Sequence, residues 1–232
     1  MRRFPSEHLP TKEHSVLLSR ETSHHVLRVV GIAPKEEVEL FDGQGTGCVA
    51  TLLGVVDGRA EMLWVSPLYG EQRQASLTLV LALTKGDAFA TALRMCTEIG
   101  VANIVPLQAQ RSVPKGDKSV RWTKIVTGAA GQSKRFTIPT VESLQTWHTI
   151  WGVLPEQPNW VLHPVSEGVP MVTSISESTT IWIGPEGGFT EQELMWLFER
   201  GAEHRSLGSL VLKADTAAVV ATALSLSHSE SI

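Results

Sequence analysis

The run Ile181-Trp182-Ile183-Gly184-Pro185-Glu186-Gly187-Gly188-Phe189-Thr190-Glu191-Gln192-Glu193 decides the fold class. An apolar strand over residues 180–183 enters a glycine-rich turn, and a helix follows. Thr190 and Glu193 stand in capping-box spacing, so the helix start is well specified. Glycines in such a turn let main chain approach a ligand with no Cβ in the way; the plainer reading is a tight strand–helix turn that needs positive φ. The turn is neither G-x-G-x-x-G nor a Walker A sequence, and no Gly-Lys-Ser or Gly-Lys-Thr occurs in the chain. A dinucleotide or nucleoside triphosphate site is therefore not supported.

The segment Leu207-Gly208-Ser209-Leu210-Val211-Leu212-Lys213-Ala214-Asp215-Thr216-Ala217-Ala218 follows the same logic. An apolar stretch with one glycine leads into a helix near Asp215-Thr216, both good N-cap types. Strands at 77–83, 104–107, 160–162 and 180–183 alternate with helices at 87–99, 122–130, 141–151, 191–200 and 216–226, the grammar of an α/β layer. In the 87–99 helix, Phe89, Leu93, Cys96 and Ile99 form one stripe and Gly100 stops it. Two glycine loops after parallel-type strands would flank one ligand crevice at the carboxyl ends of the sheet.

The first ~70 residues read differently, as short strands in steady succession, the pattern of a small barrel or sandwich. Strands at 38–41, 48–56 and 60–65 are separated by Asp42-Gly43 and Asp57-Gly58 turns. Residues 67–75 are polar and carry Pro, Gly and Gln, as an interdomain linker does. The expected organisation is a first domain over 1–72 and a second over 76–232.

Composition narrows the function classes. At 42% hydrophobic and 19% charged, the 232 residues hold enough apolar material for a real core. The longest apolar runs, such as 79–83 or 52–56, fall far short of the ~18 residues of a membrane span. Met1-Arg2-Arg3-Phe4 is followed by Pro5 and Ser6 rather than an apolar leader, and a cytoplasmic protein is the expectation. Cys48 and Cys96 cannot build a disulfide framework or a complete zinc site. His24-His25 has no third ligand at useful spacing, so barrel packing or surface is the better reading and no metal is expected. No Gly-x-Ser-x-Gly or His-Glu-x-x-His occurs, which leaves hydrolase readings without support.

The formal charge is −4, yet its distribution is uneven. Residues 111–135 carry seven cations against Asp117 alone, whereas residues 136–232 carry three cations and eleven acids. That asymmetry is the footprint of a nucleic-acid face or, equally, of a solvated surface. Trp122, inside the basic stretch, could stack on a base, although helix packing is the commoner use.

Ile183-Gly184-Pro185-Glu186-Gly187-Gly188, then Leu207-Gly208 and Leu212-Lys213-Ala214-Asp215-Thr216-Ala217, resembles the SPOUT methyltransferases, in particular the 16S ribosomal RNA uridine-N3 methyltransferase family (ribosomal RNA small subunit methyltransferase E). Weaker matches run in order along the chain: His24-His25 with Arg28-Val29, Leu40-Phe41-Asp42-Gly43, Lys85-Gly86, Thr97-Glu98-Ile99-Gly100-Val101, Arg111-Ser112, Gln132-Ser133 with Arg135, and Leu162-His163-Pro164. The resemblance implies an N-terminal PUA-like β-barrel that binds RNA and a C-terminal α/β domain tied in a trefoil knot. It further implies a homodimer and S-adenosylmethionine held bent among three loops. The loops map to Leu162 and His163; to Ile183, Gly184, Pro185, Gly187 and Gly188; and to Leu207, Gly208, Leu210 and Leu212.

The implied reaction methylates N3 of a uridine in 16S ribosomal RNA, on assembled small subunits. A sulfonium methyl is already electrophilic, so neither metal nor protein nucleophile is required. The uracil imide must lose its proton, and a cation facing the resulting charge lowers the barrier by ~3 kcal/mol. Lys213 is the candidate for that task and Glu186 the candidate base, although contact with backbone N–H groups at the helix start is the commoner use of such a carboxylate. Arg2, Arg3, Arg28, Arg111, Lys134 and Arg135 are the candidate phosphate contacts. Relatives carry Arg where this chain has Leu210 and Lys213, Glu at Asp215 and Gly131, Gly at Lys134, and Arg at Gly31. The rival readings are a SPOUT enzyme with another RNA target and a non-catalytic RNA-binding or ribosome-assembly protein.

Overall fold

A computed structural model describes residues 1–69, 76–113, 116–163, 169–171 and 178–226. Residues 70–75 of the expected linker, Lys115 of the basic stretch and Pro164 after His163 lie outside the described residues. The chain divides into two units, Met1–Arg73 with Thr127–Ile138, and Gln74–Val126 with Pro139–Ile232.

The first unit is built on a five-stranded sheet. Its strands are β1 (Arg3–Pro5), β2 (Val16–Leu17), β3 (Glu37–Phe41), β4 (Gly47–Val56) and β5 (Arg59–Leu68), in spatial order β1-β3-β4-β5-β2. β1 runs parallel to β3 and the other pairs are antiparallel. Asp57 and Gly58 both take positive φ between β4 and β5, as a tight hairpin turn requires. Leu18, Val38, Leu40, Ala50, Leu52 and Met62 fill the core.

Residues 20–30 depart from the expected succession of strands. They form helix α1 (Arg20–His24) and a π-helical stretch, His25–Val30. Ser19 caps α1 by accepting from the Thr22 N–H at 3.1 Å, and Val26 drops into the core. His25 stands exposed with its ring edge against Phe4.

The second unit carries a seven-stranded, all-parallel sheet. Its strands are β6 (Thr78–Ala82), β7 (Asn103–Leu107), β8 (Thr140–Val141), β9 (Asn159–Leu162), β10 (Val169–Pro170), β11 (Thr180–Ile183) and β12 (Glu203–Ser206). The order is β10-β12-β9-β11-β6-β7-β8. β6 and β11 are buried throughout, as strands covered on both faces must be. Helices α2 (Ala88–Ile99), α3 (Ser119–Gln132), α4 (Glu191–Phe198) and α5 (Ala214–Leu226) complete the described regular structure, and the division between units falls within α3. α2 packs on α5, where the Thr222 hydroxyl meets Cys96 Sγ at 3.4 Å. Trp122 is buried against Phe89 with ring centroids 5.0 Å apart, which makes it a packing residue rather than an open stacking platform.

The helix expected over 141–151 does not form. Only Ile150–Gly152 is helical, as a 3₁₀ turn. The Gln145 N–H donates to the Pro106 carbonyl and the Gln108 N–H to the Gln145 carbonyl, so edge pairing along β7 has displaced the helix. Among the described residues no helix is long and apolar enough to cross a membrane, and no cluster of His, Cys, Asp or Glu could hold a metal ion.

Candidate functional site

Sheet register builds the site. Ile183 pairs with Leu162, and Leu162 with Arg205, so β11, β9 and β12 end almost abreast and their loops leave the same edge. A cavity of about 270 Å³ opens there. From the β9 end come Leu162 and His163; from the β11 end, Ile183, Gly184, Pro185, Glu186 and Gly188; from the third loop, Leu207, Gly208, Leu210, Leu212 and Lys213. Gly187 is the one candidate cofactor residue that does not line it. Its carbonyl instead accepts from Arg111 Nη1 at 2.7 Å.

The glycine loop is held from outside the cavity as well as from within. The Gly188 N–H closes a turn on the Pro185 carbonyl at 2.8 Å. Glu186 Oε1 accepts from the Lys85 N–H at 2.7 Å, tying the loop to the chain beyond β6. The capping box forms: Thr190 Oγ1 accepts from the Glu193 N–H, and Glu193 Oε2 accepts from the Thr190 N–H. Glu193 is buried, and its Oε1 also accepts from Trp147 Nε1 at 2.7 Å and the Gln110 N–H at 2.8 Å. One carboxylate thus fixes α4, Trp147 and the chain after β7.

Two glycines in this loop have geometric reasons. A Cβ on Gly184 would stand 3.1 Å from the Phe189 nitrogen. Gly188 has φ +69°, and a Cβ there would reach 3.4 Å from His163 Nε2. Burial pushes the His163 pKa down, helped by His204 and by the Arg111 guanidinium, so the ring is neutral at neutral pH. His163 Nδ1 is buried and has no hydrogen-bond partner among the described residues. His204 Nε2 sits 3.0 Å from the His163 carbonyl, fixing the main chain of the first loop.

The third loop is looser. Gly208 takes φ +116°, and Ser206 Oγ accepts from its N–H at 3.2 Å. Leu210 is 79% exposed, and Lys213 is exposed just before α5. Sequence reasoning missed Phe189, Arg205, Ser206, Val211, Ala214 and Ala217, which also line the cavity. Phe189 closes the quoted loop and could have been taken from it. Arg205 and Ser206 lie in β12, whose all-polar Glu-His-Arg-Ser run carries no strand periodicity.

The candidate RNA contacts are placed unequally. Arg2 and Arg28 are exposed in the first unit. Arg3 has a side chain only 5% exposed; it donates to Glu39 at 2.8 Å, to the Lys134 and Arg135 carbonyls, and stacks on Phe136. Lys134 Nζ bonds both Glu39 oxygens and the Met1 carbonyl. Arg3 and Lys134 are thus both ion-paired to Glu39 and knit the first unit. Arg135 donates to Thr137, and burial lowers its pKa to about 10. Arg111, in the second unit, holds Gly187 while its residue stays exposed. Lys134 has φ +63°, the backbone conformation that favours glycine. Gly131 is buried, and a Cβ there would lie 3.4 Å from the Arg3 carbonyl oxygen and 3.7 Å from the Phe41 ring.

Residues 71–226 match the family model described as RNA methyltransferase domain. A ribosomal RNA small subunit methyltransferase E of Rickettsia conorii is 32% identical, covering 93% of this chain and 92% of its own. One of Synechocystis sp. is 31% identical, covering 91% of this chain and 72% of its own. Among solved structures, the ribosomal RNA small subunit methyltransferase E of Neisseria gonorrhoeae bound to S-adenosylmethionine superposes with a TM-score of 0.87 at 29% identity, covering 96% of this chain and 95% of that one. A Legionella pneumophila protein in complex with the same cofactor gives 0.85 at 28% identity, covering 97% and 95%.

Proposed function

The chain belongs to the ribosomal RNA small subunit methyltransferase E family of RNA methyltransferases, and from that premise we propose that it transfers a methyl group from S-adenosylmethionine to N3 of a uridine in 16S ribosomal RNA. The observation that carries the reading is the convergence of three strand-end loops on one cavity rich in main chain. The residues fit a nucleoside: Gly184 and Gly188 leave main chain uncovered, His163 Nδ1 lacks a partner among the described residues, and Leu162, Ile183 and Leu212 offer apolar walls.

When bound, the cofactor supplies an electrophilic sulfonium methyl. The protein's part is to hold the reactants and to favour the uracil anion. Lys213 is exposed at the lip of the cavity, where its ammonium can face charge developing on the uracil carbonyl oxygens. A donor in that role contributes about 3 kcal/mol. Glu186 has one oxygen committed to Lys85, and its assigned role is to hold the loop. Arg2, Arg28 and Arg111 are the cations we assign to phosphate.

On the same reading the second unit is a knotted SPOUT domain and the first a PUA-like RNA-binding domain. The protein acts as a cytoplasmic homodimer on assembled small subunits. The test is methyl transfer to unmodified small subunits, followed by nucleoside analysis of the RNA. 3-Methyluridine is the expected product; transfer to another nucleoside, or none, would overturn the proposal.

A further inference from the structure

Among the described residues, two of the buried polar atoms left without a partner belong to residues lining the cavity: His163 Nδ1 and Arg205 Nε. The second is the more demanding. Arg205 is 9% exposed, lies in β12 and stacks over the Trp160 ring at 5.0 Å. Its Nη2 donates to Glu203, an acid whose own side chain is mostly solvent-exposed and which does not line the cavity. A buried guanidinium with an unanswered N–H is costly to keep unless something completes it. Carboxylates meet the guanidinium fork best, through paired charge-assisted hydrogen bonds.

A second feature points to the same chemistry. The first turn of α5 brings Ala214 and Ala217 to the cavity wall. The N-terminus of this thirteen-residue helix favours an anion by its dipole, although the Thr216 N–H already donates to Asp215. Among the described residues, the lining includes one buried cation, Arg205, and one helix start, that of α5.

We infer that Arg205, together with the start of α5, binds the α-carboxylate of the methionine half of S-adenosylmethionine. The inference rests on the cofactor reading above and assigns the end of the cavity that reading leaves open. Adenosine takes the glycine-loop end, where main chain is bare; the amino-acid tail runs towards β12. Glu203 then competes with the ligand carboxylate for the guanidinium. Removing its charge should strengthen binding.

Calorimetry with two probes separates the possibilities: S-adenosylmethionine, and 5′-methylthioadenosine, which has the nucleoside but no carboxylate. Arg205→Met keeps the packing on Trp160 and should weaken S-adenosylmethionine about tenfold or more while changing methylthioadenosine less than about twofold, the loss expected for one charge-assisted pair. Glu203→Gln should tighten S-adenosylmethionine about twofold at low salt and leave methylthioadenosine unchanged. This gain does not depend on Arg205→Met folding well. Equal losses for both probes in Arg205→Met, or weaker S-adenosylmethionine binding in Glu203→Gln, would overturn the assignment of Arg205 and leave the cofactor reading standing. A wild-type protein that binds neither probe overturns both.

Discussion

The Glu186 carboxylate and the Lys85 main-chain N–H lie 2.7 Å apart, joining the glycine loop to the segment that follows β6. A hydrogen bond to a carboxylate contributes roughly 1.5–3 kcal/mol, and here it restrains a cavity wall. Glu186→Gln retains an acceptor in the same place, whereas Glu186→Ala does not. The expected outcome is near-normal kcat in Glu186→Gln and a KM for the methyl donor raised about tenfold in Glu186→Ala, the scale of one such bond. If Glu186 were the base, both variants would lose kcat together; steady-state and single-turnover rates decide.

Gly188 and Gly201 both take positive φ, at +69° and +81°, but only Gly188 faces a neighbour, His163. Alanine at either position carries the left-handed backbone cost of about 1–2 kcal/mol. A chain of this size should then lose about 2–4 °C in Tm per kcal/mol. Gly201→Ala should show that loss alone. Gly188→Ala should show it together with weaker cofactor binding, because its Cβ would cover main chain in the cavity wall beside the His163 ring. Differential scanning calorimetry and titration of the methyl donor separate the two effects.

How far the sequence could be read depended on which interactions are local. The β11–α4 junction was legible because its strand, bare turn and capping box lie within the quoted run, and each forms as expected. The α2 stripe of Phe89, Leu93 and Cys96 was legible for the same reason, since period and stop signal are both local. β12 was not legible: Glu-His-Arg-Ser is a strand only because β9 and β10 flank it, and pairing across the sheet overrides propensity. Residues 141–151 failed conversely, where an apolar-looking helix lost to main-chain pairing with β7. The pairing of Glu39 with Arg3 and Lys134 was not legible either, because charge counting cannot see a partner distant in sequence.

Lys213 precedes α5 at the cavity lip with its side chain exposed, so it can be changed at little cost to stability. Lys213→Met should lower kcat by about 10²-fold, as for removal of one preorganised donor, while leaving the affinity for the methyl donor near normal. Lys213→Arg keeps the charge and should recover part of the rate. A pH–rate profile adds a second reading: without the ammonium, the rate should rise further towards alkaline pH, because solvent must then supply the uracil anion. An unchanged kcat in Lys213→Met would remove the residue from the chemistry.

Glu39 gives the first unit a defined acid sensitivity. Burial alone would raise its pKa, but hydrogen bonds from Lys134 and Arg3, and their charges, outweigh that and hold it below the usual 4.5. The unfolded chain therefore binds the Glu39 proton more readily than the native one. The carboxylate's contribution to stability is complete above about pH 4.5 and is lost as pH falls through the depressed native value. Glu39→Gln leaves two cations around a neutral amide, one of them the buried Arg3, and at pH 7 should cost about 3 kcal/mol, the scale of a broken buried pair. The gap between wild type and variant should then narrow as the pH falls below about 4.5 and close once it is below the depressed native value, where the wild-type carboxyl becomes neutral too. Urea unfolding at a series of pH values measures that gap, and a difference that stays constant from pH 7 to pH 3 would show that the triad contributes by packing rather than by charge.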